Sequence, residues 1–159
     1  MPRHKTKSLV RTPNPDRLYN SVMVQRVINR VMLNGKKQLA ERLVYTGMQK
    51  AADELKVQNP LEVFEKAFAN IKPSLETRSR RVGGANYQIP FEVKGQRQNH
   101  LTVMWFVRAA RDKKGMSMAD RIAQELVDAY NETGTAVKKK EDSHKMAEAN
   151  RAFAHFARY

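Results

Sequence analysis

Cysteine is absent from the 159 residues, which excludes a disulfide framework, a thiolate metal site and a cysteine nucleophile. Long apolar runs are missing as well. No stretch approaches the ~18 consecutive apolar residues that span a bilayer, and the N-terminus carries no apolar core of the secretory type. The expected location is therefore cytoplasmic, with no membrane. Acidic residues are scarce: 16 Asp and Glu stand against 30 Lys and Arg, a formal net charge of +14, with a pI near 10.2. Charge this far from zero repels itself in a compact chain and persists most easily where a polyanion is the working partner. Nucleic acid fits that description first and an anionic surface second.

Residues with the means for catalysis are also few. The four histidines, His4, His100, His144 and His155, show no metal-ligand spacing. Gly35-Lys36-Lys37 looks like the end of a phosphate-binding loop, but Arg30 stands where that loop needs its first glycine. The carboxylates lie mostly at helix-capping positions or in helix pairs such as Glu62 with Lys66, so the inward cluster a metal-dependent nuclease requires is missing. No enzyme, metal or cofactor is expected.

What is present is helical periodicity on a length that buries a single core without staples. Residues 1–17 form a basic, proline-interrupted arm, and residues 18–159 form one helical domain. The first helix follows Ser21, with Val24, Val27, Ile28, Val31 and Met32 on one face, and stops at Asn34-Gly35. A second starts near Lys37 and turns Leu39, Leu43, Met48, Ala51, Ala52 and Leu55 inward. Asn59-Pro60 opens a third, which buries Val63, Phe64, Ala67, Phe68 and Ile71. The period then changes from helical to two, and Leu75 to Val82 with Ala85 to Val93 around Gly83-Gly84 predicts a hairpin inserted at about 74–93. A fourth helix runs from Gly95 through Leu101, Met104, Trp105 and Val107 to Gly115, with Trp105 in the core. A fifth runs from Ser117 to Gly134, and a last one runs from about Glu141 through Met146, Ala147, Phe153 and Ala154 to near the terminus. The fold class is mainly α: a six-helix domain with a protruding two-stranded β-hairpin and a basic N-terminal arm.

Cations gather at four places. Arg3, Lys5, Lys7 and Arg11 lie on the arm, and Arg78, Arg80 and Arg81 lie on the first strand of the ribbon, near the Gly83-Gly84 tip and Tyr87. A two-glycine loop sets Arg80 opposite Tyr87 and Arg78 opposite Ile89. Guanidinium forks beside an aromatic ring suit phosphate and base stacking. Arg108, Arg111 and Lys114 follow one another along the fourth helix. Lys138, Lys139 and Lys140 crowd the start of the last, where they oppose the helix dipole and call for a compensating anion such as a phosphate.

Ser79-Arg80-Arg81-Val82-Gly83-Gly84-Ala85-Asn86-Tyr87-Gln88-Ile89-Pro90 resembles the signature hairpin of the bacterial small-subunit ribosomal protein S-seven family. Gly35-Lys36-Lys37 with Ala40-Glu41 and Val44-Tyr45 resembles that family's second helix. Gly134 to Asp142 and His144 to His155 are similar to its C-terminal helix almost throughout. The sequence departs from the family pattern at Lys94-Gly95, where Arg-Pro is common, and at the Phe156-Ala157-Arg158-Tyr159 ending. The resemblance implies a non-enzymatic primary binder of small-subunit ribosomal RNA that organises the subunit head. Its hairpin would lie near exit-site transfer RNA and the messenger exit path, and its neighbours would include other small-subunit ribosomal proteins. The implied location is the ribosome, in the cytoplasm or within an organelle. The expected RNA-binding set is Arg3, Lys5, Lys7, Arg11, Lys36, Lys37, Arg78, Arg80, Arg81, Gly83, Gly84, Tyr87, Arg97, Arg108, Arg111, Lys114, Lys138, Lys139 and Lys140. The competing reading is a helical DNA-binding regulator, which needs a recognition helix and usually a dimer surface. Charge spread over an arm, a ribbon and several helices instead suits folded RNA read by shape and phosphate.

Overall fold

In the computed structural model, which describes residues 13–158, the chain enters the helical body through one carboxylate. Asp16, the only acid among the first seventeen residues, is 3% exposed. It accepts the backbone N–H groups of Leu18, Tyr19 and Ser21 at 3.1, 2.8 and 2.7 Å and the Tyr45 hydroxyl at 3.2 Å. Those bonds satisfy donors just ahead of helix α1 (Val22–Val31), where the Ser21 side chain makes no cap bond. Burial and the Asp16 charge raise the pKa of both Tyr19 and Tyr45, so both phenols stay protonated donors at neutral pH.

Helix α2 (Lys37–Leu55) buries Ala40, Val44, Met48, Ala51 and Ala52. Leu39 and Leu43, expected inward, lie off that stripe: Leu39 is 49% exposed and Leu43 only half-buried. Each precedes a stripe residue by one position and is thereby rotated about 100° away from the core. Helix α3 (Pro60–Ile71) begins as expected, with the Asn59 side chain accepting the Leu61 N–H at 3.0 Å and proline in the first turn. Its Phe64 and Phe68 rings stack at 4.0 Å, and Phe68 meets Phe106 at 5.1 Å.

Strands β1 (Leu75–Val82) and β2 (Ala85–Glu92) form the hairpin in the expected register, with Arg80 opposite Tyr87 and Arg78 opposite Ile89. Gly83 and Gly84 take φ of 59° and 91°, the left-handed pair that a primed two-residue turn needs. Helix α4 (Gly95–Asp112) buries Leu101, Trp105, Phe106 and Val107, which places Trp105 in the core. Helix α5 (Met118–Tyr130) is capped by Ser117 and packs against α2, α3, α4 and α6, so the core is built around it. Gly47 lets α2 approach closely: a β-carbon there would lie 2.7 Å from Ile122 Cγ2 and 3.0 Å from the Ala119 carbonyl.

The C-terminal part differs from expectation at both of its boundaries. Helix α5 ends at Tyr130, and α6 runs Gly134–Ala149, starting well before Glu141. Ala136 and Val137 of its first turns are buried in the core, a signal too short for periodicity to reveal. The helix then stops at Asn150, whose side-chain amide donates to the Met146 carbonyl at 2.8 Å and competes with the backbone. Arg151–Arg158 continues as a 3-10 helix lying on β2.

Candidate nucleic-acid interface

The hairpin stands on helix α6. Ser143 Oγ donates to the Leu75 carbonyl at 3.2 Å, and the Ser74 N–H donates to His144 Nε2 at 3.1 Å. Accepting that N–H requires a neutral imidazole with its proton on Nδ1. Burial, with the Lys140 charge second, lowers the His144 pKa, in agreement with that role. Ile89 and Val93 are buried at 0% and 3% exposure, so the ribbon is rooted at its base while its tip stays in solvent.

Along the ribbon the three arginines are not equivalent. Glu76, 6% exposed, receives Arg78 from the same strand and Arg97 Nε at 3.0 Å from the start of α4. One carboxylate thus holds two of the expected RNA-binding cations, and the Arg78 guanidinium also lies 5.3 Å from the Phe91 ring centre. Arg80 donates to the Phe156 carbonyl at 3.3 Å. Its cross-strand neighbour Tyr87 packs 4.9 Å from Phe153 and 6.1 Å from Phe156, fastening the 3-10 segment to the ribbon. Arg81 falls on the opposite face, across from Asn86, and is exposed.

The start of α6 has an internal anion where a phosphate was expected. Glu125, 0% exposed on α5, accepts the Ala136 N–H at 3.0 Å, and its other oxygen lies 3.1 Å from Lys113 Nζ. Lys113 donates its hydrogen bond to Asp128 at 2.8 Å. The helix dipole is therefore met from within the core, and Lys138 and Lys139 sit in the following turn, exposed. Lys140 is half-buried and donates to the Asn70 carbonyl at the end of α3, 2.7 Å away.

The remaining expected cations divide in the same way. Arg111 donates to the Arg30 carbonyl at 3.0 Å, and Lys37 lies 3.7 Å from Glu41. Among the described residues, Lys36, Arg81, Arg108, Lys114, Lys138 and Lys139 are exposed and have no hydrogen-bond or ion-pair partner for their side chains. Arg3, Lys5, Lys7 and Arg11 lie outside the described residues.

One feature escaped the sequence. Between α1 and α4 lies a cleft of about 390 Å³ walled by Arg26, Asn29, Arg30, Gln96, Asn99 and His100 over Val103 and Met104, with Pro13 at its edge. Asn29 Oδ1 is occupied by Gln25 at 2.9 Å, which leaves its amide N–H₂ as donor. Arg26 and Arg30 are one turn apart on α1, yet nothing local says that α4 will set three polar side chains opposite them. Pro13 thus lies beside a cleft of guanidinium and amide donors.

Among the described residues no cluster of His, Asp and Glu has metal-binding geometry, and no helix is long and apolar enough to cross a membrane. The model of the family described as ribosomal protein S7p/S5e matches residues 2–151. The small ribosomal subunit protein uS7 of Petrotoga mobilis is 53% identical over 142 residues, 89% of this chain and 91% of its own length. That of Thermosipho africanus is 51% identical over 152 residues, covering 96% and 97%. That of Chloroflexus aggregans is 55% identical over 144 residues, covering 91% of each. With a match of this extent over helices, hairpin and α6 alike, the chain belongs to the ribosomal protein S7p/S5e family, structural proteins of the ribosome and not enzymes.

Proposed function

We propose that the chain binds small-subunit ribosomal RNA directly and nucleates assembly of the subunit head. The observation that carries this reading is the set of exposed cations with no internal carboxylate, Arg81 on β1, Arg108 on α4, Lys114 in the turn after α4, and Lys138 and Lys139 on α6, in a chain with net charge +14. Phosphate neutralisation at several points, with release of counterions, is what such a distribution supports. Arg26 and Arg30, in the α1–α4 cleft, extend the set beyond the residues legible in the sequence. Arg78 and Arg97 act one step back from the RNA, since their joint hold on Glu76 stiffens the root of the ribbon. Tyr87 does the same for the 3-10 segment.

In this reading the Gly83-Gly84 tip extends toward exit-site transfer RNA and the messenger path, while neighbouring small-subunit proteins flank the helical body. The test is binding of the chain to small-subunit ribosomal RNA at moderate salt, with an equal mass of duplex DNA as competitor. Retained RNA binding and co-sedimentation with small-subunit particles are expected. Equal loss to DNA would favour a regulator of duplex DNA and refute the ribosomal RNA reading.

A further inference from the structure

The turn between α1 and α2 and the first turn of α2 expose apolar side chains that the core could have taken. Leu33 is 65% and Leu39 49% exposed, and both border a groove of about 490 Å³ floored by Leu43 and Met118. The exposure is built in. Asn34 and Gly35 take φ of 52° and 73°, and the Lys36 N–H closes the turn on the Leu33 carbonyl at 3.0 Å, which holds Leu33 outward.

The rim carries one sign of charge. Lys36, Arg111 and Arg121 surround the groove, and no acidic residue lines it. The two guanidiniums are fixed on carbonyl oxygens: Arg111 on Arg30 at 3.0 Å, and Arg121 on Met116 at 2.8 Å. Their positions are set by the backbone and their charges are not neutralised by a carboxylate. RNA would satisfy the rim but would leave Leu33 and Leu39 against phosphate and sugar. A protein segment satisfies both, with an apolar side chain in the groove and carboxylates at its edge, the arrangement of a buried anchor inside a polar rim.

We infer that this groove docks an acidic segment of another protein, with an apolar anchor between Leu33 and Leu39 and carboxylates on Lys36 and Arg121. The inference rests on the ribosomal reading, since the partner would be met in the assembled particle. The experiment places a photo-reactive amino acid at position 39 of the full chain, reconstitutes small subunits and irradiates them. The expected product is a crosslink to a protein, at a peptide with Asp or Glu within a few residues of the attachment point. Its yield should fall about fivefold when Lys36→Glu and Arg121→Glu are combined, because opposite charges across a rim set the encounter. A crosslink only to RNA, a crosslink to a basic peptide, no crosslink, or a yield indifferent to charge reversal would each overturn the inference. Sedimentation separates the two readings. Entry of the labelled chain into the particle without an acidic-peptide crosslink overturns the groove alone, whereas exclusion of labelled and unlabelled chain alike overturns the ribosomal reading and this one with it.

Discussion

Glu125 is the only fully buried acid among the described residues, and it joins two helices and a turn: its own α5, the α6 backbone at Ala136 and Lys113 just beyond α4. Replacing Lys113 with Met keeps the length of the side chain and removes the counter-charge. The carboxylate then retains one hydrogen bond and no cation, and stranding a buried charge in this way costs about 3 to 5 kcal/mol. Glu125→Gln is milder, about 1 to 2 kcal/mol, because the amide oxygen can still accept the Ala136 N–H and Lys113 keeps Asp128 at 2.8 Å. For a domain of this size each kcal/mol moves Tm by roughly 2 to 4 °C, so Lys113→Met is expected to lower it by about 6 to 20 °C. The decisive comparison is the double variant. With no stranded charge, Lys113→Met combined with Glu125→Gln should be more stable than Lys113→Met alone, and the cycle should be non-additive by at least about 1 kcal/mol. Urea melts of the four proteins supply the numbers. Additive effects, or a Lys113→Met cost below about 1 kcal/mol, would show that the α5–α6 junction is not held by this carboxylate.

Three further outcomes follow from the geometry. Burial, with the Lys140 charge second, lowers the native His144 pKa below the value near 6.5 of its unfolded counterpart, so the unfolded chain binds more protons as pH falls. Stability is then full above about pH 6.5 and drops below it, and His144→Gln should flatten that part of the profile in denaturant melts between pH 7.5 and 5; an unaltered slope would remove His144 from the account. Gly47→Ala gains about 1 kcal/mol of helix propensity but sets a β-carbon 2.7 Å from Ile122 Cγ2, so a net loss is expected from overpacking of about 1 to 3 kcal/mol; a higher Tm would contradict the close approach of α2 and α5. Tyr87→Ala should release the 3-10 segment, read as faster proteolysis after Arg151 with an unchanged helical circular dichroism spectrum; unchanged cleavage would mean that Phe153 and Phe156 do not need that ring.

How far the sequence could be read depended on the range of each interaction. Gly83-Gly84 with period-two flanks contains all the information for the hairpin register, because a two-residue turn fixes which residues face each other. The stripe Val24, Val27, Ile28 and Val31 is likewise local, and so is the Asn59-Pro60 cap. The early start of α6 was hidden because its support comes from Glu125, eleven residues away on another helix. The same holds for the hairpin arginines. Nothing in the strand reveals that Arg97 will share Glu76 with Arg78, so the charge clusters read as a uniform set although two of their members pair with a buried carboxylate. The α1–α4 cleft exists only once two helices separated by α2, α3 and the hairpin lie side by side.

The central claim, that Arg81, Arg108, Lys114, Lys138 and Lys139 meet RNA phosphates, is tested most directly by a salt series. Affinity for small-subunit ribosomal RNA should be measured from low to moderate salt for the unaltered chain and for a variant with Arg81, Lys138 and Lys139 all changed to Ala, with circular dichroism on both. The expected result is a fold left intact and a salt slope lowered by roughly two to three, at about 0.7 to 0.9 per lost phosphate contact. The control is Arg78→Ala, whose guanidinium is engaged with Glu76 and which should change the slope by less than Arg81→Ala alone. An unchanged slope and affinity for the triple variant would contradict the assignment of the ribbon tip and α6 to the RNA.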